Sequence, residues 1–295
     1  MTSKSLNELL KWSIINQATE SEDASVSTEP RKPLEKLDPG LIDAILGRSE
    51  GQLMMDALQV IKNPQATNDE KDLAWEDFEM LIQQIDNACN IESMKMWPPI
   101  LEELKNPNPK FREQAAWVCG TATQNNPKAQ AAFMNEKGLN AVIELLSDSE
   151  TYVRAKAMYA ISGAVKHFEP ALQEFKALDG YKILVSLLNN EHDISLLRKT
   201  VFMLNTLLVQ DPTSTTQLIE LNLIGALNNV TSQHMDDEDL VEKSLVTLKT
   251  FFNESASVDA ASKTLIRPRI LEAKEKYSKE ILAAEDWAEL EQKSA

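Results

Sequence analysis

The chain repeats itself. Residues 111–127, FREQAAWVCGTATQNNP, return 42 positions later as VRAKAMYAISGAVKHFEP (153–170), written in a different vocabulary but with the same grammar. The overlay pairs Phe111 with Val153, Arg112 with Arg154, Ala115 with Ala157, Trp117 with Tyr159 and Ala122 with Ala164. It extends outward, with Leu104 on Leu146, Phe133 on Phe175 and Gly138 on Gly180, so the repeated object is a whole supersecondary unit. One step back, Trp117 falls on Trp75; going forward, LLRKTVFMLNTLLVQDP (196–212) and LVEKSLVTLKTFFNES (240–255) restate the long-helix phrase. Four units are clear and a first one is weaker.

A period near 42 lies in the range of armadillo and HEAT units. Each unit has a short apolar segment such as LNAVIELL (139–146), a polar break, and a long helix starting near Tyr152. A second short helix follows, PALQEFKALDG (170–180), with proline in its first turn and a glycine expected to take the left-handed cap. That order is the armadillo one. Val153, Ala157, Ala160, Ile161, Ala164 and Val165 fall at three- and four-residue steps and make one apolar stripe, which no unit can bury alone. Only eight glycines and few β-branched clusters argue against sheets. The expected fold is all-α: an armadillo-repeat α-solenoid with a concave binding face. Residues 1–37 read as a flexible N-terminal segment with a short apolar motif and an acidic linker, 38–269 as the repeat domain, and 270–295 as a capping helix with an acidic tail. No heptad seam points to a dimer, so a monomer is expected.

The composition excludes several functions. A formal charge of −16 repels phosphate backbones, so nucleic acid is not an expected partner. Cys89 and Cys119 lack zinc-site spacing and read as reduced, buried thiols. No apolar run approaches a membrane span, and LNELLKWSII (6–15) carries Glu8 and Lys11 and lacks a cleavage site. A cytoplasmic protein, with the nucleus as a second compartment, is the expectation. His167, His192 and His234 have no second ligand at helical spacing, and no phosphate-cradling or nucleophile-elbow motif is present. Neither a cofactor, a metal nor a catalytic group is expected. Paired acids such as Glu102-Glu103 read as solvated faces or first-turn residues.

Trp75, Trp117 and Tyr159 share one phase and form either an exposed row or a core row, with Tyr159 beside the apolar stripe and not in it. Armadillo proteins of the importin-α type place Asn four residues after such a Trp. Here those positions hold Glu79, Thr121 and Gly163, which speaks against recognition of basic localisation peptides. Asn90 and Asn126, at helix ends, read first as caps.

Four stretches carry a more specific likeness: LLKWSI (9–14), DALQVIKNP (56–64), EDFEMLIQQIDNACNIESMKMW (76–97) and GTATQNNPKAQAAF (120–133). They resemble the armadillo-type nucleotide exchange factors of DnaK-like, seventy-kilodalton heat-shock chaperones, the fungal Fes and mammalian Hsp-binding-protein group. Cys89 stands where Asn is usual in the third phrase. The resemblance implies a co-chaperone whose concave face embraces one lobe of the chaperone's ATPase domain and promotes ADP release. It also places partner contacts at Asn87 and Ala88, at Asn125, and at Arg198-Lys199, a pair that on spacing alone reads equally as an exposed polar flank. The N-terminal motif has two readings. Leu6, Leu9, Leu10 and Ile14 share a side that could pack on the first repeat; or Leu9, Leu10, Trp12 and Ile14 around Lys11 resemble the apolar peptides held in such a chaperone's substrate-binding domain, a tethered client mimic. An armadillo adaptor for a different protein or peptide is the alternative to the exchange factor.

Overall fold

The computed structural model describes residues 47–255, 258–278 and 280–295, and every regular element among them is helical. A leading hairpin, α1 (Glu50–Lys62) and α2 (Asn68–Ile82), is followed by four triplets. The first is α3 (Ile85–Ser93), α4 (Trp97–Glu103) and α5 (Pro109–Thr123); the second is α6 (Pro127–Asn135), α7 (Gly138–Glu144) and α8 (Thr151–Val165). The third is α9 (Glu169–Ala177), α10 (Gly180–Asn190) and α11 (Ile194–Gln210), and the fourth is α12 (Thr215–Glu220), α13 (Leu223–Gln233) and α14 (Glu238–Glu254). α15 (Ala260–Tyr277) and α16 (Ala284–Lys293) close the row. The long helices α2, α5, α8, α11 and α14 pack side by side in chain order, the armadillo arrangement in which they form the inner face.

The stripe drives the stacking. Val153, Ala157, Ala160, Ile161, Ala164 and Val165 of α8 are all fully buried, and one continuous core runs from Met54 to Leu290. Local chemistry sets the boundaries. Asn108, Asn126, Asp193 and Asp237 each cap a helix by accepting from a backbone N–H of its first turn. Pro109, Pro127 and Pro170 stand in first turns, where a missing N–H costs nothing. The expected glycine cap is corrected. The left-handed residue is the one before it, Lys137 or Asp179 (φ 58° and 59°), and the glycine starts the next helix. A Cβ on Gly138 would lie 2.2 Å from the Phe133 ring, and one on Gly180 2.3 Å from the Phe175 ring.

A repeated ion pair bolts one unit to the next. Arg112 on α5 makes two bonds, of 2.6 and 2.9 Å, to Asp148 just before α8. Arg154 on α8 does the same to Glu191 before α11, at 2.9 and 3.0 Å, and Arg198 on α11 binds Asp237, the cap of α14, at 3.0 Å through Nε. Arg112 and Arg154 also donate to carbonyls of the loop preceding their own helix, Asn106 and Asp148 respectively. The Arg112 and Arg154 guanidinium groups therefore each fix two loops and two units at once.

α5 and α8 cross closely at Gly120 and Gly163. The Tyr159 ring lies over Gly120, where a Cβ would meet it at 2.3 Å, and a Cβ on Gly163 would meet the Gly120 carbonyl and Thr123 Oγ1 at 2.8 Å. Gly163→Ala should therefore destabilise, although Ala is the better helix former by about 1 kcal/mol. Overpacking against a backbone oxygen costs roughly 1–3 kcal/mol, so a net loss of about 1 kcal/mol in urea unfolding is expected. An unchanged or raised midpoint would show that the two helices can separate freely.

The C-terminal stripe of Ile270, Tyr277, Ile281 and Leu282 is buried, as a capping role requires. The division anticipated at residue 269 falls inside α15, a continuous helix. Leu9, Leu10, Trp12 and Ile14 lie outside the described residues, as does the linker.

Candidate functional site

The inner face is distinguished by what α5, α8 and α11 leave uncovered. Tyr159 is half-buried, and its hydroxyl donates to Gln124 Oε1 at 3.0 Å. Beside it a pocket of about 270 Å³ is walled by Asn125, Met158, Lys166, Lys199, Phe202 and Met203. A wider depression of about 510 Å³ continues from it along Trp117, Tyr152, Lys156 and Glu113, with Tyr159 and Lys199 shared by the two. Lys156 Nζ stands 3.8 Å from the centre of the Trp117 ring, a cation–π contact. Burial holds its ammonium below the usual lysine range; the nearby Lys199 charge pushes the same way, and Glu113 opposes. Three lysines on an aromatic floor, in a chain of net charge −16, form a local island of opposite sign.

Of the residues singled out from the sequence, the structure brings Asn125 and Lys199 together at this pocket. Asn125 sits there because it turns the chain between α5 and α6 at φ 52°. Asn87, Ala88 and Arg198 are placed elsewhere. The Asn87 amide is spent on Glu50 Oε2 (2.7 Å) and the Leu81 carbonyl (2.9 Å), Ala88 is buried in the core, and Arg198 is bound to Asp237. The aromatic row also differs from its sequence register. Trp75 is fully buried, edge-on to Phe78, and takes no part in the open row. The open row is Trp117 and Tyr159, both half-buried, and the exposed Phe202, with exposed Tyr152 beside it. Lys156 and Phe202 were missed. A register allowing one inserted residue between the second and third units places Phe202 under Tyr159.

Asn126 is a cap, as read: it accepts from the Ala129 amide and, at 3.5 Å, from the Cys89 thiol. Cys119 is buried and Cys89 half-buried, and both are free; burial pushes the Cys119 thiol far above its usual range. Among the described residues no group of His, Cys, Asp and Glu could hold a metal, and no helix is long and apolar enough to cross a membrane.

Fold and face together define an armadillo solenoid whose inner face is cationic and aromatic. Designed armadillo repeat proteins superpose on it, one with TM-score 0.66 at 12% identity over 84% of this chain and all of that one, and another, in complex with the peptide (KR)4, with 0.64 at 15% over 84% and 98%. Those likenesses show the fold. Two family models match, nucleotide exchange factor Fes1 over residues 6–91 and the SIL1/FES1/HPBP1 C-terminal domain over 87–233. Among relatives, a Hsp70 nucleotide exchange factor FES1 of Mycosarcoma maydis is 42% identical over 72% of this chain and 56% of its own length. That of Coccidioides immitis is 36% identical over 59% of this chain and 83% of its own, and that of Schizosaccharomyces pombe is 29% identical over 96% and 97%. The chain belongs to the SIL1/FES1/HPBP1 family of nucleotide exchange factors.

Proposed function

We propose that the chain is a co-chaperone that binds the ATPase domain of a Hsp70-type, DnaK-like chaperone through its inner face and speeds ADP release, performing no bond chemistry itself. The observation that carries this is the island of Lys156, Lys166 and Lys199 among Trp117, Tyr159 and Phe202, which fits an acidic protein patch with aliphatic borders. The same lysines repel a basic peptide such as the one bound by the designed relative, which weighs against the adaptor alternative. The mechanism is a population shift. A rigid curved surface that binds the open, nucleotide-free ATPase domain better than the closed one moves that equilibrium by its difference in affinity and no further. Asn125 and Lys199 make contacts in this reading. Asn87, Ala88 and Arg198 serve it by fixing the spacing of the units that carry the face, through Glu50, the core and Asp237.

Release of a fluorescent ADP analogue from a chaperone's ATPase domain tests the proposal directly. Substoichiometric amounts of the chain should accelerate release manyfold, and an unchanged rate would refute it. The protein acts as a monomer in the cytosol in this reading. Its N-terminal residues Leu9, Leu10, Trp12 and Ile14 reach the chaperone's substrate-binding domain and help expel client. Removing residues 1–37 should then leave ADP release intact and slow client release severalfold. Equal client release from both chains would remove the N-terminal role while leaving the exchange activity standing.

A further inference from the structure

We propose that residues 38–46, DPGLIDAIL, dock in the groove between α1 and α2 and cap the leading end of the solenoid. The repeat register shows that this face is built to be covered. Leu73, Asp77 and Met80 of α2 stand at the phase of Ala115, Cys119 and Ala122 in α5, and of Ala157, Ile161 and Ala164 in α8, all six fully buried. α5 packs on a different side of α8, at Tyr159, Ala160 and Gly163, and the two short helices of α8's own unit, α6 and α7, also pack on it. The leading hairpin has a single helix, α1, ahead of its long one among the described residues, and Leu73 and Met80 are 59% and 61% exposed. With Leu53 and Val60 of α1 they wall a groove of about 700 Å³. Terminal repeats of a solenoid need a polar outer layer, and this one presents leucine and methionine instead.

The chain itself delivers the occupant. Arg48 already lines the groove, and Gly47 just before it has φ +80°, the left-handed conformation that ends a helix. The sequence ahead of Gly47 is written as that helix, with Asp38 as a cap, Pro39 in the first turn, and Leu41, Ile42, Ile45 and Leu46 on one side. Asp43 falls on the opposite side, away from the groove acids Asp56, Glu70 and Asp77. Nine helical residues span about 13 Å, within the roughly 20 Å length of α1. The other apolar candidate, residues 6–15, must close a loop of some thirty residues to reach the same place, so the adjacent segment holds the higher local concentration. Docking there also steadies α1, whose Glu50 holds Asn87, and so stiffens one end of the clamp.

Thiol labelling of the full chain tests this. In a Cys89→Ser background, Met80→Cys should react with a maleimide at least tenfold more slowly than Val209→Cys, a residue of equal exposure on α11. Adding Ile42→Asp with Ile45→Asp should bring the two rates within about twofold, whereas Leu9→Asp with Ile14→Asp should leave the protection in place. Cys119, buried in α5, stays unlabelled in any variant whose solenoid is folded; if it reacts in the aspartate pair, Ile42→Ser with Ile45→Ser replaces that pair. Equal rates at Met80→Cys and Val209→Cys at the outset would overturn the proposal. So would protection released by the Leu9 and Ile14 changes alone, which assigns the groove to residues 6–15, or protection that grows with protein concentration, which assigns it to a second copy.

Discussion

Lys199→Glu is expected to weaken binding of the chaperone's ATPase domain by a factor of thirty or more while leaving the melting temperature within a degree of the parent. Lys199 lies between the pocket at Asn125 and the depression at Trp117, so a reversed charge is felt across both. It removes one attraction to an acidic partner and replaces it with a repulsion, and central hot-spot changes of this kind cost about 2–4 kcal/mol. Every 1.4 kcal/mol is about a factor of ten in affinity. The protein's own stability is insulated, because Lys199 is exposed and enters no ion pair among the described residues. Arg198→Glu makes the contrast: it breaks the bond to Asp237 and sets like charges face to face, so it should lower stability as well as binding. Titration calorimetry against the ATPase domain, repeated at two salt concentrations, reads the effect. Binding by Lys199→Glu equal to the parent, with the same salt slope, would move the interface off this face.

The contrast between those neighbours marks where sequence reading reaches and where it stops. Periodicity reports burial, and the stripe through Val153, Ala157 and Ala164 gave the stacking because apolar side chains have one physical demand. Polar side chains have several. Arg198 and Lys199 are adjacent and both basic, yet one is turned 100° around the helix into a bolt and the other onto the open face. The bolt was nonetheless partly written in the overlay, since Arg112 pairs with Arg154; Arg198 follows 44 residues later, one position beyond the register that places Phe202 under Tyr159. Asn87 is a similar case: its amide goes to Glu50 on α1, 37 residues earlier, a partner that no local pattern announces. Trp75 kept the phase of Trp117 but not its exposure: it is fully buried where Trp117 is half-buried. Register gives the position of a side chain on its helix, and the neighbouring unit decides whether that position is inside.

Breaking one of the bolts should be strongly destabilising. Arg154→Ala leaves Glu191, only 8% exposed, without its cation, and also frees the Asp148 and Ser149 carbonyls. Stranding a buried carboxylate costs about 3–5 kcal/mol in a dry interior, and the residual exposure here puts the expected loss near 2–3 kcal/mol. Glu191→Gln in that background should recover part of it, because the stranded charge is then gone and the two changes are coupled, not additive. The linkage to pH has a definite sign. Arg112 holds the Asp148 carboxylate below its usual range, and Arg198 does so for Asp237. For Glu191, burial works the other way but is outweighed by the amides of Asp193 and His192 and by Arg154. A carboxylate whose folded pKa is depressed stabilises fully above its unfolded value near 4 and loses that contribution as the pH falls through the folded one. The urea-midpoint gap between Arg154→Ala and the parent should therefore be full at pH 7 and close progressively below about pH 4. A gap unchanged by acid would mean that Arg154 stabilises through its packing and its carbonyl bonds alone. Because three such pairs join four successive long helices, acid should loosen the joints between units before it melts the helices within them, flattening the inner face while helicity persists.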